Sequence, residues 1–263
     1  MKTIAFGTLK GGTGKTTVAY NVAGVLAEEY KVLLIDMDPQ ANLTDKAGVD
    51  TTIQDGITVR DIFRDQKISP ESVIVKEPMW QFPNLDIIPS HIRLTATEMQ
   101  LVSTPAREHI LRRWIERNRD YLKQYDYIII DTNPSMGVVN QNAFMAADSI
   151  VLVSDVSRKA LQGAQLFTYL WGEVAEAMQL EDKVKALILN NNDKRIALGK
   201  HLMEFYREDE EFGKIVLNNS IPARVDIKNT EIKYLPINIT APDSDSCQAF
   251  RDVVSELMQK EVI

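Results

Sequence analysis

The chain has 263 residues, 44% of them hydrophobic and 25% charged, which is enough apolar sequence to bury a full core. Its net charge of −7 excludes a surface coated throughout with nucleic-acid-binding charge, but leaves room for a local basic patch. The single cysteine, Cys247, excludes a disulfide framework; with no signal peptide and no transmembrane run ahead of the first apolar segment, a reducing cytoplasm is expected. No linker, repeat or low-complexity stretch divides the sequence, so residues 1–263 read as one α/β domain.

The first predicted strand, Thr3-Ile4-Ala5-Phe6, is followed by Lys10-Gly11-Gly12-Thr13-Gly14-Lys15-Thr16-Thr17 and then by a helix-like stretch from Val18 to Ala23. A glycine-rich loop between a strand and a helix turns successive N–H groups inward at the positive helix end, so it can wrap a triphosphate. Lys15 is expected to reach the β- and γ-phosphates and Thr16 a magnesium ion. The usual pattern asks for glycine where Leu9 stands; here a second lysine, Lys10, guards the loop entrance. A lysine in an arbitrary loop is ordinarily a solvated surface residue, but the surrounding motif argues for a role at the nucleotide.

With that entrance lysine the loop resembles those of the ParA/MinD group of deviant Walker ATPases. The resemblance implies that Lys10 reaches across a nucleotide-sandwich homodimer to the phosphates bound by the other copy.

The second strand, Val32-Leu33-Leu34-Ile35, ends in Asp36-Met37-Asp38-Pro39-Gln40. Asp-Pro commonly starts a turn. In an open parallel sheet, however, carboxylates beyond the strand ends face the ligand, and the string is similar to the family's second motif. The resemblance implies that Asp36 helps organise the magnesium shell and that Asp38 positions the attacking water. The stretch Gly48 to Gly56 is expected to be the least ordered, and Asn84-Leu85-Asp86-Ile87-Ile88-Pro89-Ser90 resembles another family segment.

A helix is expected over 106–123, with Arg112, Arg113, Arg117 and Arg119 on the wet side of an amphipathic face built from Leu111, Trp114 and Ile115. The next strand, 127–130, ends at Asp131, an arrangement in which the carboxylate holds magnesium. The following Thr132-Asn133-Pro134-Ser135-Met136-Gly137 is similar to the family's γ-phosphate-sensing segment. After the strand at 150–153, Ser154-Asp155-Val156-Ser157 replaces the proline-bearing loop of the family.

Strands at 3–6, 32–35, 85–88, 127–130, 150–153 and 184–189 alternate with helices near 16–29, 93–101, 106–123, 138–146, 160–178 and 196–206. The expected architecture is therefore an α/β P-loop NTPase fold, a mostly parallel twisted sheet with helices on both faces. A last helix, 247–260, carries Phe250, Val253, Val254 and Leu257 on one face. With few basic residues, it is expected to pack on the core and not to anchor in a membrane.

The resemblance puts Asn190 and Pro222 near the adenine, and the loop residues Lys10, Gly11, Gly12, Thr13, Gly14, Lys15, Thr16 and Thr17 around the phosphates. Catalysis is expected from Lys10, Lys15 and Asp38, and the metal set from Thr16, Asp36 and Asp131. For Arg195, Lys200, Arg224 and Lys228 two readings stand side by side, a solvated face or a patch that holds DNA without reading its sequence. In relatives an arginine follows Ile-Pro directly; here Ala223 intervenes and the arginine is displaced to Arg224.

The function implied is ATP- and Mg2+-dependent partitioning of plasmid or chromosomal DNA, with a centromere-binding, ParB-like activator and association of the ATP-bound form with the nucleoid. The alternatives are the positioning of a protein cargo and a MinD-like membrane switch. A single cysteine excludes an iron–sulfur carrier, and a chain that opens on its first strand is not expected to carry an N-terminal helix-turn-helix domain.

Overall fold

Buried aliphatic strands alternate with helices along the chain, and the computed structural model, which describes residues 1–50, 56–79, 81–192 and 197–263, gathers them into one six-stranded sheet. β1 (Lys2–Gly7) leads through the glycine loop into α1 (Lys15–Leu26) and β2 (Val32–Asp36). Three short helices, α2 (Asn42–Lys46), α3 (Val59–Arg64) and α4 (Pro70–Val73), precede β3 (Leu85–Ile88). Next come α5 (Leu94–Gln100), α6 (Ile110–Arg117), α7 (Arg119–Leu122) and β4 (Tyr127–Asp131). The chain continues through α8 (Val138–Ala146), β5 (Ser149–Asp155), α9 (Arg158–Ala177) and β6 (Val184–Asn190). It closes with α10 (Ala197–Glu208), α11 (Phe212–Ile215), α12 (Val225–Lys233), α13 (Ile237–Thr240) and α14 (Asp245–Gln259).

The strand order is β3-β2-β4-β1-β5-β6, and every neighbouring pair is parallel. Parallel pairing requires crossover helices, and these cover both faces. The strand pleat sorts the side chains. Ile128 and Ile130 point into a core with Trp114, Phe144, Phe167 and Trp171, while Ile129 between them joins Val18, Val22, Phe250 and Leu257 on the opposite face. The apolar face expected on the last helix is thus buried in the core, and among the described residues no helix is long and apolar enough to cross a membrane.

Two expectations about elements change. The helix expected over 106–123 is divided: Ala106 adopts a left-handed φ of 50°, residues 107–109 form a 3-10 turn, and the helix stops at Asn118, whose side-chain amide donates back to the Trp114 carbonyl at 2.9 Å. Of the loop expected from Gly48 to Gly56, residues 51–55 lie outside the described part.

Two helix glycines show how local space decides the sign of one substitution. A Cβ on Gly24 would lie 2.5 Å from Pro236 Cβ and 2.9 Å from Asn238 Oδ1, whereas one on Gly172 of α9 meets nothing within 4 Å. Gly24→Ala should therefore lower stability by about 1–3 kcal/mol through overpacking. Gly172→Ala should raise it by about 0.5–1 kcal/mol, because the helix loses its most flexible residue. Urea denaturation of both variants checks the pair, and equal signs would refute the packing argument.

Candidate active site

The crossover from β1 runs to β2 on one side and that from its neighbour β5 runs to β6 on the other, which opens a crevice beyond the carboxyl ends of these two strands, where a sheet of this topology binds ligands. The glycine loop fills that position. Gly12 and Gly14 both have φ of +80°, which disfavours side chains at both positions, and at Gly14 a Cβ would also lie 2.2 Å from Asn190 Nδ2. Asn190 at the end of β6 donates its amide to the Thr13 carbonyl at 2.7 Å, bracing the loop from behind. Gly14 caps α1 without a side-chain hydrogen bond, which leaves the first amides of the helix directed at the crevice.

A cavity of about 530 Å3 is lined by residues 10–17 together with Thr8, Asp38, Asn42, Asp45, Lys46, Pro134 and Tyr234. Every phosphate-loop residue expected from the sequence is brought to it. Lys15, only 6% exposed, puts Nζ 2.5 Å from Asp131 Oδ1 and also donates to the Thr132 carbonyl. The Thr16 hydroxyl donates to Asp131 Oδ2 at 2.7 Å. Both oxygens of Asp131 are therefore held by the two loop residues expected to face phosphate and metal. The Thr13 hydroxyl is buried and has no partner among the described residues.

Asp36 lies in register with Asp131 on the neighbouring strand, and both are fully buried. Its carboxylate accepts from the Asp38 amide at 3.0 Å, the Thr44 amide at 2.9 Å and the Thr44 hydroxyl at 2.7 Å. It thus folds the segment after β2 around itself, with no oxygen open to the cavity. Burial, and secondarily the Asp131 charge, push its pKa up to about 7. Asp38 does line the cavity; its Oδ1 accepts from the Gln40 amide at 2.9 Å, and burial raises its pKa.

Lys10 stands apart from Lys15. Its Nζ is 2.5 Å from Oδ2 of Asp155, the last residue of β5, and 3.0 Å from Ser157 Oγ just beyond it, in the stretch 154–157 where the sequence departs from the ParA/MinD pattern. The segment after Asp131 is clasped to α8: the Asn140 amide donates to the Asn133 and Ser135 carbonyls, each at 2.8 Å, and Glu98 of α5 accepts from the Val139 amide at 3.1 Å. Asp155, Thr44 and Glu98 carry no motif, and only the loop divergence at 154–157 signalled the first of them.

A second cavity, about 580 Å3, shares Gly12, Gly14 and Thr17 with the first and runs past Asn190 to Ala223, Arg224, Val225, Ile227 and Lys228. Pro222 is not part of its wall; Ile221 beside it is fully buried and bonded through its amide to Leu189. Arg224, the residue that caps α12 with extended backbone, and Lys228 in its first turns are both exposed, and both line this cavity. Arg195 and the Lys200 side chain lie outside the described part.

The raised pKa of Asp36 has a definite sign. The folded chain retains a proton that the unfolded chain has lost between about pH 4 and pH 7, so the stability contributed by Asp36 is complete below that window and is lost as pH rises through it. Measured in chelator by urea denaturation, the wild type should lose on the order of 2–4 kcal/mol relative to Asp36→Asn between about pH 4 and pH 8. A difference independent of pH would refute the assignment.

A family model described as an AAA domain matches residues 1–186. The chain is 32% identical over 257 residues to the sporulation initiation inhibitor protein Soj of Bacillus subtilis, covering 97% of this chain and 98% of that one. It is 30% identical over 253 residues to the chromosome partitioning protein ParA of Myxococcus xanthus, covering 96% and 86%. A putative plasmid partition protein of Borrelia burgdorferi, solved with AMPPNP, shares the fold with a TM-score of 0.78 at 24% identity over 98% of this chain and 99% of that one. The glycine loop with its two lysines, the paired strand-end carboxylates and these full-length likenesses together show that the chain belongs to the ParA/Soj family of partition ATPases.

Proposed function

We propose that this chain is a magnesium-dependent ATPase that partitions plasmid or chromosomal DNA. ATP joins two copies into a sandwich dimer, the dimer holds DNA without sequence preference on the nucleoid in the cytoplasm, and a centromere-bound ParB-like partner triggers hydrolysis. The observation that carries this reading is the division of labour between two lysines on one loop: Lys15 is buried on Asp131, while Lys10 faces the loop after β5.

The residues fit ATP and a divalent cation. The buried Thr13 hydroxyl, which has no partner among the described residues, the amide-rich start of α1 and the two left-handed glycines form a cradle for phosphate oxygens. Among the described residues there is no cluster of three or more His, Cys, Asp or Glu that would cage a metal, in keeping with an ion held by one or two protein oxygens and by phosphates. Thr16 and Asp131 would hold magnesium with Asp36 behind them, and the ion when bound would offset the charge of the transferred phosphoryl group. Lys15 would leave Asp131 for the β- and γ-phosphates, and Asp38 would orient the attacking water from the cavity wall. The cavity past Asn190 is large enough for the base and ribose.

If Lys10 acts in trans, Lys10→Ala should retain single-copy nucleotide affinity within about threefold yet lose ATP-driven dimerisation, whereas Lys15→Ala should lose nucleotide binding at least about a hundredfold. Calorimetry and light scattering check this. Equal loss of binding in both variants would place Lys10 in cis.

DNA contact is assigned to Arg195, Lys200, Arg224 and Lys228, which dimer symmetry would double into one positive face. At saturating ATP, Arg224→Ala with Lys228→Ala should weaken binding to a random duplex at least about tenfold and reduce the salt slope by about 2–4, since each lost phosphate contact releases one counterion fewer. Fluorescence anisotropy over a salt series checks it. Undiminished affinity would place the patch elsewhere, and a partner-stimulated ATPase with no DNA binding would favour a protein cargo.

A further inference from the structure

The segment from Thr132 to Gly137 borders the phosphate cavity and is held at both ends. At its start, the Thr132 carbonyl accepts from Lys15, and Pro134 forms part of the cavity wall. At its far end, α8 starts from Gly137 with no capping side chain and no acidic residue in its first turn. The carboxylate that such a helix end favours comes instead from α5: Glu98, 41 positions before Val139, accepts from the Val139 amide at 3.1 Å. Within the segment, Ser135 Oγ accepts from the Gly137 amide at 3.2 Å and donates to Asn133 Oδ1 at 2.6 Å, and the Asn140 amide of α8 holds the Asn133 and Ser135 carbonyls. A movement at Thr132 is thereby passed to the first turn of α8.

Gly137 makes room for the carboxylate. A Cβ there would collide with Glu98 Oε1 and lie 3.3 Å from Glu98 Cδ. With φ of −67° and ψ of 170°, the backbone at Gly137 is extended and open to any L-residue. What the glycine preserves is thus the seat of Glu98 and not an unusual turn. Substituting either residue breaks one contact, from opposite sides.

We propose that Glu98 is a positioning residue: it latches 132–137 in the nucleotide-free arrangement, so that ATP binds against the latch and ADP does not. The inference rests on the reading that Lys15 turns to the β- and γ-phosphates and Asp38 to the water that attacks the γ-phosphate. On that reading the γ-phosphate occupies the part of the cavity bounded by Asp38 and Pro134. A diphosphate stops short of it. Only the triphosphate then has to displace the segment, and its affinity is scaled by the fraction of chains in which the latch is open. A carboxylate at a helix start favours the closed form by a factor of about 2–5. The latch therefore sets how strongly the chain distinguishes ATP from ADP.

The test uses the full chain with Glu98→Ala, Glu98→Gln and Gly137→Ala; the last retains the carboxylate and covers the case in which Glu98→Ala disturbs folding. Hydrogen exchange of the peptide that opens α8, read by mass spectrometry without nucleotide, reports the latch and should be faster in Glu98→Ala and Gly137→Ala than in the wild type. Calorimetric titration with AMPPNP and with ADP, both with magnesium, reports the consequence: AMPPNP affinity should rise about twofold to fivefold in these two variants while ADP affinity stays within about 1.5-fold. Glu98→Gln, which keeps an acceptor oxygen without the charge, should fall between. Because both substitutions break the same contact, the double variant should match the stronger single one and not their product. A role in helix stability alone would change both nucleotides equally. Unchanged exchange would overturn the latch, and an unmoved ratio of AMPPNP to ADP affinity in chains that bind both would overturn the proposal and leave the ATPase reading intact. A wild type that binds neither nucleotide would overturn the ATPase reading and the proposal with it, even where the exchange is faster.

Discussion

Two fully buried carboxylates in register on adjacent parallel strands, Asp36 on β2 and Asp131 on β4, set the terms for everything around them. At the spacing of neighbouring strands, about 5 Å, two unit charges repel by about 3 kcal/mol even at an effective dielectric constant of 20. The chain offsets this with what surrounds the pair. Lys15 and Thr16 occupy Asp131 from the loop side, while Thr44 and the Asp38 amide occupy Asp36 from the segment after β2. The loop conformation, the placement of α2 and the orientation of Asp38 all follow from satisfying those four oxygens. What remains is the cost of a buried charge: burial first, and the Asp131 charge second, lead Asp36 to hold its proton to unusually high pH.

The same economy ties the walls of the crevice together from below. Tyr20, buried in α1 with its pKa raised by burial, places its hydroxyl 2.9 Å from the Lys46 carbonyl at the end of α2 and 3.1 Å from the Tyr234 carbonyl just after α12. One hydroxyl on the phosphate-loop helix thus meets both the segment that carries Asp38 and the helix that carries Lys228. Asn21, one residue on, accepts from the Ile237 amide at 2.6 Å and extends the tether to α13. A rigid helix behind the loop is what a phosphate cradle needs, because the donors must be aimed before the ligand arrives.

The six strands were legible because each is a mostly apolar run of buried-strand length, interrupted only by single residues such as Asp86 and Lys185, and both their number and their order along the chain match the sheet. The short helices α2, α3, α4, α11 and α13 were not expected, since helices of four to six residues have no periodicity to read and exist through tertiary contacts. In α2 the anchor is the Thr44 hydroxyl on Asp36, a residue type common in any loop. The loop motif and the strand-end aspartates could be read because phosphate chemistry demands those residue types at fixed spacing. The Lys10 partner could not, because Asp155 is distant in sequence and its pairing follows only from β5 lying beside β1. Asn190 was expected at the adenine; what the fold shows is that it braces the loop through Thr13, a role visible only once β6 is known to end beside Gly14.

The two lysines occupy docks of different kinds, and the difference bears on the order in which they move. On the proposed function, Asp131 would keep the Thr16 hydroxyl when Lys15 departs, and its freed oxygen would be open to the ion. Asp155 differs: among the described residues its Oδ1 has no partner, and Lys10 is the side chain bonded to Oδ2. Filling the cradle of a single copy can therefore repay the first movement but not the second. If two copies pair as proposed, phosphates presented by the partner copy would supply the opposing charge for Lys10, and a loop that holds two lysines by unequal means would separate nucleotide binding from pairing.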